Sequence, residues 1–183
     1  MQAADPTDSP AGYAALLIPV LVGGLVALTI GVYGNLHAPT GVAVNLAGFS
    51  SPLTVKVWLT SLSATFALVQ IVSALAMYGR LPTVSWIGGL HRWSGRAAFR
   101  FAVPVAVHCL YALGLNYADL RTLLHSLAGC LFFGAFTAKM LLLPKAGLPG
   151  WALPIAGAVT FTALVVLWLT SSLWFFTTSG FRL

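Results

Sequence analysis

The sequence predicts an all-α integral membrane protein, a single bundle of about five transmembrane helices. Two observations lead to this prediction. The chain of 183 residues is 59% hydrophobic and only 7% charged, with a mean hydropathy of +0.94, a composition that soluble domains do not need. It also contains five apolar runs of roughly 18 or more residues, each long enough to cross a hydrocarbon layer about 30 Å thick.

The predicted spans are residues 14–33, 55–78, 97–115, 123–143 and 151–176. Two aspartates and no basic residue precede the first run, so we expect it to remain as a helix rather than to be removed as a signal peptide. The connections are short enough for one domain covering residues 1–183.

The two longest connections differ in character. Residues 34–53 are rich in Gly, Asn, Ser and Pro, which predicts an irregular loop. Residues 81–95 mix tryptophans with arginines, which suits the membrane interface. Pro104 lies inside the third span and removes a backbone donor, so we expect a bend one turn before His108.

The basic residues indicate how the chain crosses the membrane. One group lies between the second and third spans and another ends the fourth, and the positive-inside rule places both on the cytoplasmic side of the plasma membrane. The amino terminus is then inside and the carboxyl terminus outside, with Lys56 and Arg121 on the outer side. We expect lipid contact and no nucleic-acid partner despite the net charge of +6. The two inner groups are Arg80, Arg92, Arg96 and Arg100, and Lys139 and Lys145.

His108 and His125 lie within consecutive apolar spans, where an ionisable side chain indicates a functional site. The two helices are expected to be antiparallel, so both imidazoles could face a common ligand despite a depth difference of about 8 Å. Neutral imidazoles are good iron ligands, which favours a haem b held by these two residues. A packed polar pair or a proton or quinone site are the alternatives.

A second, inner haem is a further hypothesis from spacing. Lys139 lies fourteen residues after His125, near the same helix face, and Met140 follows it. His91 stands at the inner end of the partner helix, but seventeen residues before His108 and so about 100° out of phase on an ideal helix. We therefore expect either that His91 lies in a non-helical start or that the Pro104 bend brings it into phase with His108.

Other residues receive weaker assignments. Arg92, Arg96 and Arg100 recur every four residues, so they share one helix face and could hold haem propionates or anionic lipid headgroups. Cys109 and Cys130 lie inside spans and predict no disulfide. The small residues Gly129, Gly134 and Ala138 allow another helix or a flat macrocycle to approach, and His37 in the outer loop receives no function.

No Cys-x-x-Cys-His or nucleotide-binding motif occurs in the sequence. We therefore expect an electron-transfer subunit rather than an independent enzyme, with quinol or a redox protein as donor and a partner at the outer face. A non-catalytic anchor or assembly subunit of a respiratory or redox complex is the main alternative. A proton-coupled carrier is a third class, weakened by the scarcity of acidic residues.

The runs GGLHRWSGRAAFRFAVPVAVHCLYALGL and DLRTLLHSLAGCLFFGAFTAKMLLL, followed by GLPGWALP and LWLTSSLWFF, resemble a family of small polytopic actinobacterial proteins described as a domain of unknown function. The resemblance covers about residues 81–176. More distantly, the pattern is similar to cytochrome b561 and ferric-reductase-like cytochromes, a similarity that implies b haems between helices. His108 and His125 match those ligand positions best, whereas the second and fifth spans contain no histidine.

Overall fold

In the computed structural model, residues 10–183 are described, with side chains from Tyr13 onward. All regular elements among them are helical. Two segments of π geometry, π1 after α3 and π2 after α5, interrupt the α-helices. The elements are α1 (Pro10–Leu36), α2 (Pro52–Met77), α3 (Ile87–Val107), π1 (His108–Leu113), α4 (Leu120–Leu142), α5 (Ala152–Trp168), π2 (Leu169–Leu173) and α6 (Trp174–Ser179).

Five continuous helical stretches are long and apolar enough to cross a membrane. This finding confirms the predicted all-helical membrane bundle. The stretches are Tyr13–Leu36, Pro52–Met77, Ile87–Leu113, Leu120–Leu142 and Ala152–Ser179.

The third span begins about ten residues earlier than predicted. Residues from Ile87 onward are helical rather than an interfacial connection. Hydropathy alone did not predict this first part of the helix, because arginines lie on one face while Ser94, Ala97 and Ala98 are buried on another. As a result, His91 lies inside a regular helix, and the expectation of a non-helical start is wrong.

The helices pack in the order α3, α2, α5, α4 and α1. A small core in the middle of the bundle joins α2, α3, α4 and α5, and the stacked rings of Phe99 and Phe136, with centroids 4.1 Å apart, bridge α3 and α4. Alanines dominate this core and let the helices approach closely. The core residues are Ala67, Ala102, Phe132, Ala163 and Leu164.

Two glycines set the closest helix crossing, between α1 and α4. A Cβ atom on Gly23 would lie 2.5 Å from the Gly134 carbonyl oxygen, and one on Gly134 would lie 2.6 Å from the Gly23 carbonyl oxygen. Neither position has room for a methyl group. The expected role of Gly134 in close helix packing is therefore seen here, with α1 as the partner.

The loops divide between two ends of the bundle. One end, called the His125 end, holds residues 37–51, 114–119 and 180–183. The Ser50 N–H donates to the Leu183 carbonyl oxygen (2.9 Å), and the Leu115 N–H donates to the carbonyl oxygen of Gly34 near the end of α1 (3.0 Å). The opposite end, called the His91 end, holds residues 78–86 and 143–151. Serine and aspartate caps begin α2 and α4 at the His125 end.

Candidate functional site

His125 is held in one orientation by a hydroxyl on α5's continuation, π2. Its Nδ1 lies 3.0 Å from Thr170 Oγ1, while that hydroxyl donates its single proton to the Val166 carbonyl oxygen at 2.6 Å. The Thr170 oxygen must therefore accept a hydrogen bond from Nδ1–H, because a hydroxyl has one proton to give. From these heavy-atom contacts we infer the neutral Nδ1–H tautomer, which has its lone pair on Nε2.

The Nε2 atom of His125 faces α3's continuation, π1. Its neighbour there is the Cys109 sulfur at 3.8 Å, and a thiol is a weak donor. The imidazole of a metal-binding histidine has the same arrangement, with one ring nitrogen anchored by a hydrogen bond and the other directed at the ligand.

A central cavity of about 80 Å³ lies beside this contact. His125 and Cys109 line it together with residues from all five spans, including Ile30 of α1 and Thr60 of α2. Its wall is otherwise mostly apolar. The cavity lies between α3 and α4, the two helices that carry the sequence-predicted ligands.

His108 does not join this arrangement. The ring is half-buried, has no hydrogen bond among the described residues and does not line the central cavity. The next residue, Cys109, occupies the position facing His125, and one residue corresponds to a rotation of about 100° around a helix. His108 and His125 are nevertheless at the same end, since the charge of Lys56 acts on both.

Both π segments flank His125. Cys109 lies in π1 and Thr170 in π2. π-Helical turns widen the helix, change which residue faces inward and occur frequently at functional sites. The two segments thus determine which side chains meet the His125 ring.

His91 is anchored in the same way at the other end. Its Nδ1 lies 2.9 Å from Ser73 Oγ, and that hydroxyl donates to the Val69 carbonyl oxygen at 2.6 Å. Nδ1–H is again the donor, so Nε2 carries the lone pair. Gln70 of α2 donates to the His91 carbonyl oxygen and to Ser94 Oγ, which adds polar contacts between α2 and α3.

Lys139 lies in the last turn of α4, at the same end of the bundle as His91. Met140 points elsewhere, with 46% of its surface exposed on the outside of the bundle. The three arginines Arg92, Arg96 and Arg100 are exposed on α3, as expected of a surface face. They do not line either cavity at the His125 end.

The histidine in the loop after α1 has a packing role. The ring of His37 stacks between Tyr33 and Tyr111, with centroids 5.1 and 5.2 Å away, and its Nε2 lies 3.3 Å from the Tyr111 carbonyl oxygen. The Thr40 N–H of the same loop also donates to the Tyr111 carbonyl oxygen at 3.1 Å. These contacts close the loop over π1.

The donors at the His125 end that could take part in haem ligation are the His125 imidazole and, on the α3 side, Cys109 or His108. The macrocycle supplies four ligands, so one or two protein donors complete the iron coordination, and His125 presents an unprotonated Nε2 toward a cavity between two helices. On the α3 side, the Cys109 sulfur already faces His125. His108 would have to turn by about 100° around the helix to face it. Within residues 10–183, no cluster of three His, Cys, Asp or Glu side chains that could hold a metal ion is found.

Sequence reasoning missed three members of this site. Thr170 and Cys109 gave no signal, because a threonine or cysteine in a span ordinarily packs as a small residue. Lys56 was assigned to membrane topology, although it is 7% exposed. Its position within an apolar span was the available signal.

The fold and this site define a polytopic, all-helical membrane protein with an ionisable centre inside the bundle. Residues 16–183 match a family of unknown function, DUF6529. The chain belongs to this family. No curated protein and no solved structure matches the chain.

Proposed function

We propose that this protein is a b-type membrane cytochrome subunit that transfers electrons, with His125 as an axial haem ligand. The observation that carries the proposal is the His125 ring itself. Its Nδ1 is fixed on Thr170 at 3.0 Å, and its Nε2 lone pair is directed toward the α3 side of the central cavity. When bound there, haem b would supply a one-electron carrier.

The second ligand is proposed on α3. His108 is our choice because its ring has no hydrogen bond to break among the described residues and because it begins π1, where the helix repeat is already altered. Cys109 is the rival ligand, since its sulfur already faces His125. The two differ by one residue, so variants can separate them.

An inner site is proposed from His91 and Lys139. His91 has the same anchored Nδ1 and lone pair on Nε2, and Lys139 lies at the same end of the bundle. The exposed position of Met140 makes it the less suitable donor. Two sites, one near each end, are what a similarity to cytochrome b561 and ferric-reductase-like cytochromes would imply.

Partners and orientation are part of the same proposal. Quinol or a redox protein would donate electrons, and a partner at the outer face would accept them. The His91 end would face the cytoplasm and the His125 end the outside of the plasma membrane. The exposed arginines Arg92, Arg96 and Arg100 would then contact anionic lipid headgroups on the inner side.

The test is the reduced-minus-oxidised visible spectrum of the purified protein, with haem quantified as its pyridine haemochrome. We expect a b-type spectrum that is lost in His125→Ala and in His108→Ala but retained in Cys109→Ser. His37→Ala is the matched control, because that ring packs in the outer loop. The haem-to-protein ratio and the His91→Ala spectrum report on the inner site.

Two results would contradict parts of this proposal. Loss of haem in Cys109→Ser with retention in His108→Ala would make Cys109 the second ligand. Absence of any haem signal after expression with added haem would reject the cytochrome function as a whole.

In that second case a non-catalytic membrane anchor or assembly subunit is the remaining candidate. The observation that favours it is that the two anchoring bonds, His91 to Ser73 and His125 to Thr170, each join different spans. Such bonds stabilise a membrane bundle by about 1 kcal/mol each. Under this function, His125→Ala lowers thermal stability without any spectral change.

A further inference from the structure

A second cavity opens at the His125 end, beside the central one. Its volume is about 240 Å³, and its wall is far more polar than that of the central cavity, with Lys56, Asn116, Arg121 and Thr170 among its residues. The two cavities share Cys109, Gly114, His125 and Ser126, so they are neighbouring parts of one interior space.

Lys56 is the unusual group in this cavity. It lies in the second turn of α2 and is 7% exposed, yet its ammonium has no hydrogen-bond acceptor and no ion-pair partner among residues 10–183. An ammonium carries three donors. The Lys56 stem is buried, but its Nζ is not among the fully buried atoms, so these donors reach open space rather than protein acceptors. The Lys56 side chain lines the cavity, so its donors are available to an occupant.

Arg121 brings a second positive charge to the same wall. One nitrogen, Nη1, donates to the Thr170 carbonyl oxygen at 2.9 Å, and the guanidinium carbon lies 4.0 Å from the centre of the Trp174 ring. These contacts fix the orientation of the guanidinium while using one of its five donors. Its planar fork suits a carboxylate or a phosphate.

Among residues 10–183, no acidic side chain lines this cavity. Asp119 is the single acidic residue of that range; it is exposed, and one of its oxygens accepts from the Thr122 N–H at 2.9 Å. Arg121 acts on this carboxylate electrostatically, but neither Arg121 nor Lys56 forms an ion pair with it. The cavity wall thus carries two cations and, within the described part of the chain, no anionic side chain.

From this arrangement we propose that the Lys56–Arg121 cavity binds an anionic oxygen group, a carboxylate or a phosphate. Lys56 supplies a point charge at the cavity wall and Arg121 an oriented fork, and both line a space of about 240 Å³. The polar cavity would hold this group whether it belongs to a lipid headgroup or to a free anion. The inference does not depend on haem binding.

The test is anion-dependent thermal stability of the purified full-length protein, followed by tryptophan fluorescence. In one arm, inorganic phosphate is titrated against sodium chloride of equal ionic strength. In the other arm, nanodiscs containing phosphatidylglycerol are compared with nanodiscs of phosphatidylcholine. We expect a saturable rise in the unfolding midpoint in at least one arm: a rise with phosphate identifies a free anion, and a rise with phosphatidylglycerol alone identifies a lipid headgroup.

Lys56→Met is the decisive variant, and Lys145→Met is its control because Lys145 is an exposed cation at the opposite end. We expect Lys56→Met to weaken the anion effect at least tenfold and Lys145→Met to retain it. Lys56→Met should fold as the natural protein does without anion, since the Lys56 ammonium has no hydrogen bond or ion pair to lose among the described residues. If this variant does not fold, Arg121→Gln takes its place.

The proposal is overturned if neither anion raises the midpoint more than chloride does, or if Lys56→Met responds as the natural protein does. The visible spectrum of the same samples is recorded in parallel. It separates this result from the cytochrome proposal, because anion binding without haem, or haem without anion binding, would each be seen directly.

Discussion

At the scale of single residues, one hydroxyl controls the chemistry of His125. Thr170→Val keeps the shape of the side chain but removes the acceptor of Nδ1–H. We expect the ring to lose its fixed tautomer and the free energy of unfolding to fall by about 1–3 kcal/mol, the cost of leaving a buried donor unsatisfied. Nitrogen-15 NMR of the labelled imidazole measures the tautomer, and thermal unfolding measures the stability.

The matched control for this change is Thr177→Val. Thr177 donates to carbonyl oxygens of its own helical segment and contacts no histidine. Its variant should leave the His125 nitrogen shifts unchanged. Identical shifts in Thr170→Val and the natural protein would show that Thr170 does not fix the ring.

Asp119 couples the start of α4 to pH. The Thr122 N–H donates to its carboxylate at 2.9 Å, and this bond lowers the pKa of Asp119 below the ordinary 3.8. A lowered pKa in the folded state means that the stabilisation is present above pH 3.8 and is lost as the pH falls through the folded-state pKa.

We therefore expect Asp119→Ala to unfold at a lower temperature than the natural protein at pH 7. The difference should shrink as the pH falls below the pKa of Asp119, because protonation removes the same acceptor charge. Asp119→Asn, which keeps an acceptor oxygen at the cap, should lie between the two at pH 7. A difference between Asp119→Ala and the natural protein that does not change with pH would contradict this role.

The sequence indicated His125 but not its surroundings. An ionisable residue in an apolar run can be recognised from the sequence alone. The residues that contact it, Thr170 and Cys109, are 45 and 16 residues away from His125 along the chain. Lys56 had the same visible signal as His125, yet burial and the absence of a partner appear only when α2 is packed against its neighbours.

At the scale of helices, the crossing of α1 and α4 depends on backbone contact. Gly23→Ala would place its methyl group 2.5 Å from the Gly134 carbonyl oxygen and 2.9 Å from the Ala138 Cβ. We expect it to lower the free energy of unfolding by about 1–3 kcal/mol, the usual cost of overpacking. Thermal unfolding in detergent measures this.

The adjacent position provides the control. A Cβ on Gly24 meets nothing within 4 Å, so Gly24→Ala should be neutral or slightly stabilising, since alanine favours a helix by about 1 kcal/mol over glycine. Equal destabilisation by the two substitutions would show that α1 and α4 do not cross at Gly23.

Hydropathy predicted the existence of the helices better than their limits. The third helix begins at Ile87 because its first turns are amphipathic, with exposed arginines opposite the buried Ser94. The π geometry at His108 was not predictable, since it depends on how Pro104 and the neighbouring helices are accommodated. That single change decides whether His108 or Cys109 faces His125.

At the scale of the whole molecule, the positive-inside rule gives a testable orientation. We expect a cysteine introduced at Thr83, in the connection at the His91 end, to react with a membrane-impermeant thiol reagent from the cytoplasmic side alone. A cysteine at Val44, in the loop at the His125 end, should react from outside. Labelling of intact cells and of inside-out vesicles measures this, and the reverse pattern would invert the proposed orientation.

The membrane class of the protein followed from composition because a bilayer imposes one requirement on every span. Length and apolar character are enough to meet that requirement, so five spans could be read without any packing information. The packing order α3, α2, α5, α4, α1 could not be predicted from the sequence. Apolar helix faces are interchangeable until glycines such as Gly23 and Gly134 fix a crossing.

The peripheral position of α1 predicts how the bundle unfolds under force. In its apolar window α1 is 11% buried, against 17–28% in the other spans, and it packs on α4 and π1 at the end of the helix row. Pulled from the amino terminus in a force spectrometer, α1 should detach first as a separate step. The remaining four helices should resist as a unit, since α2 and α5 hold them from within.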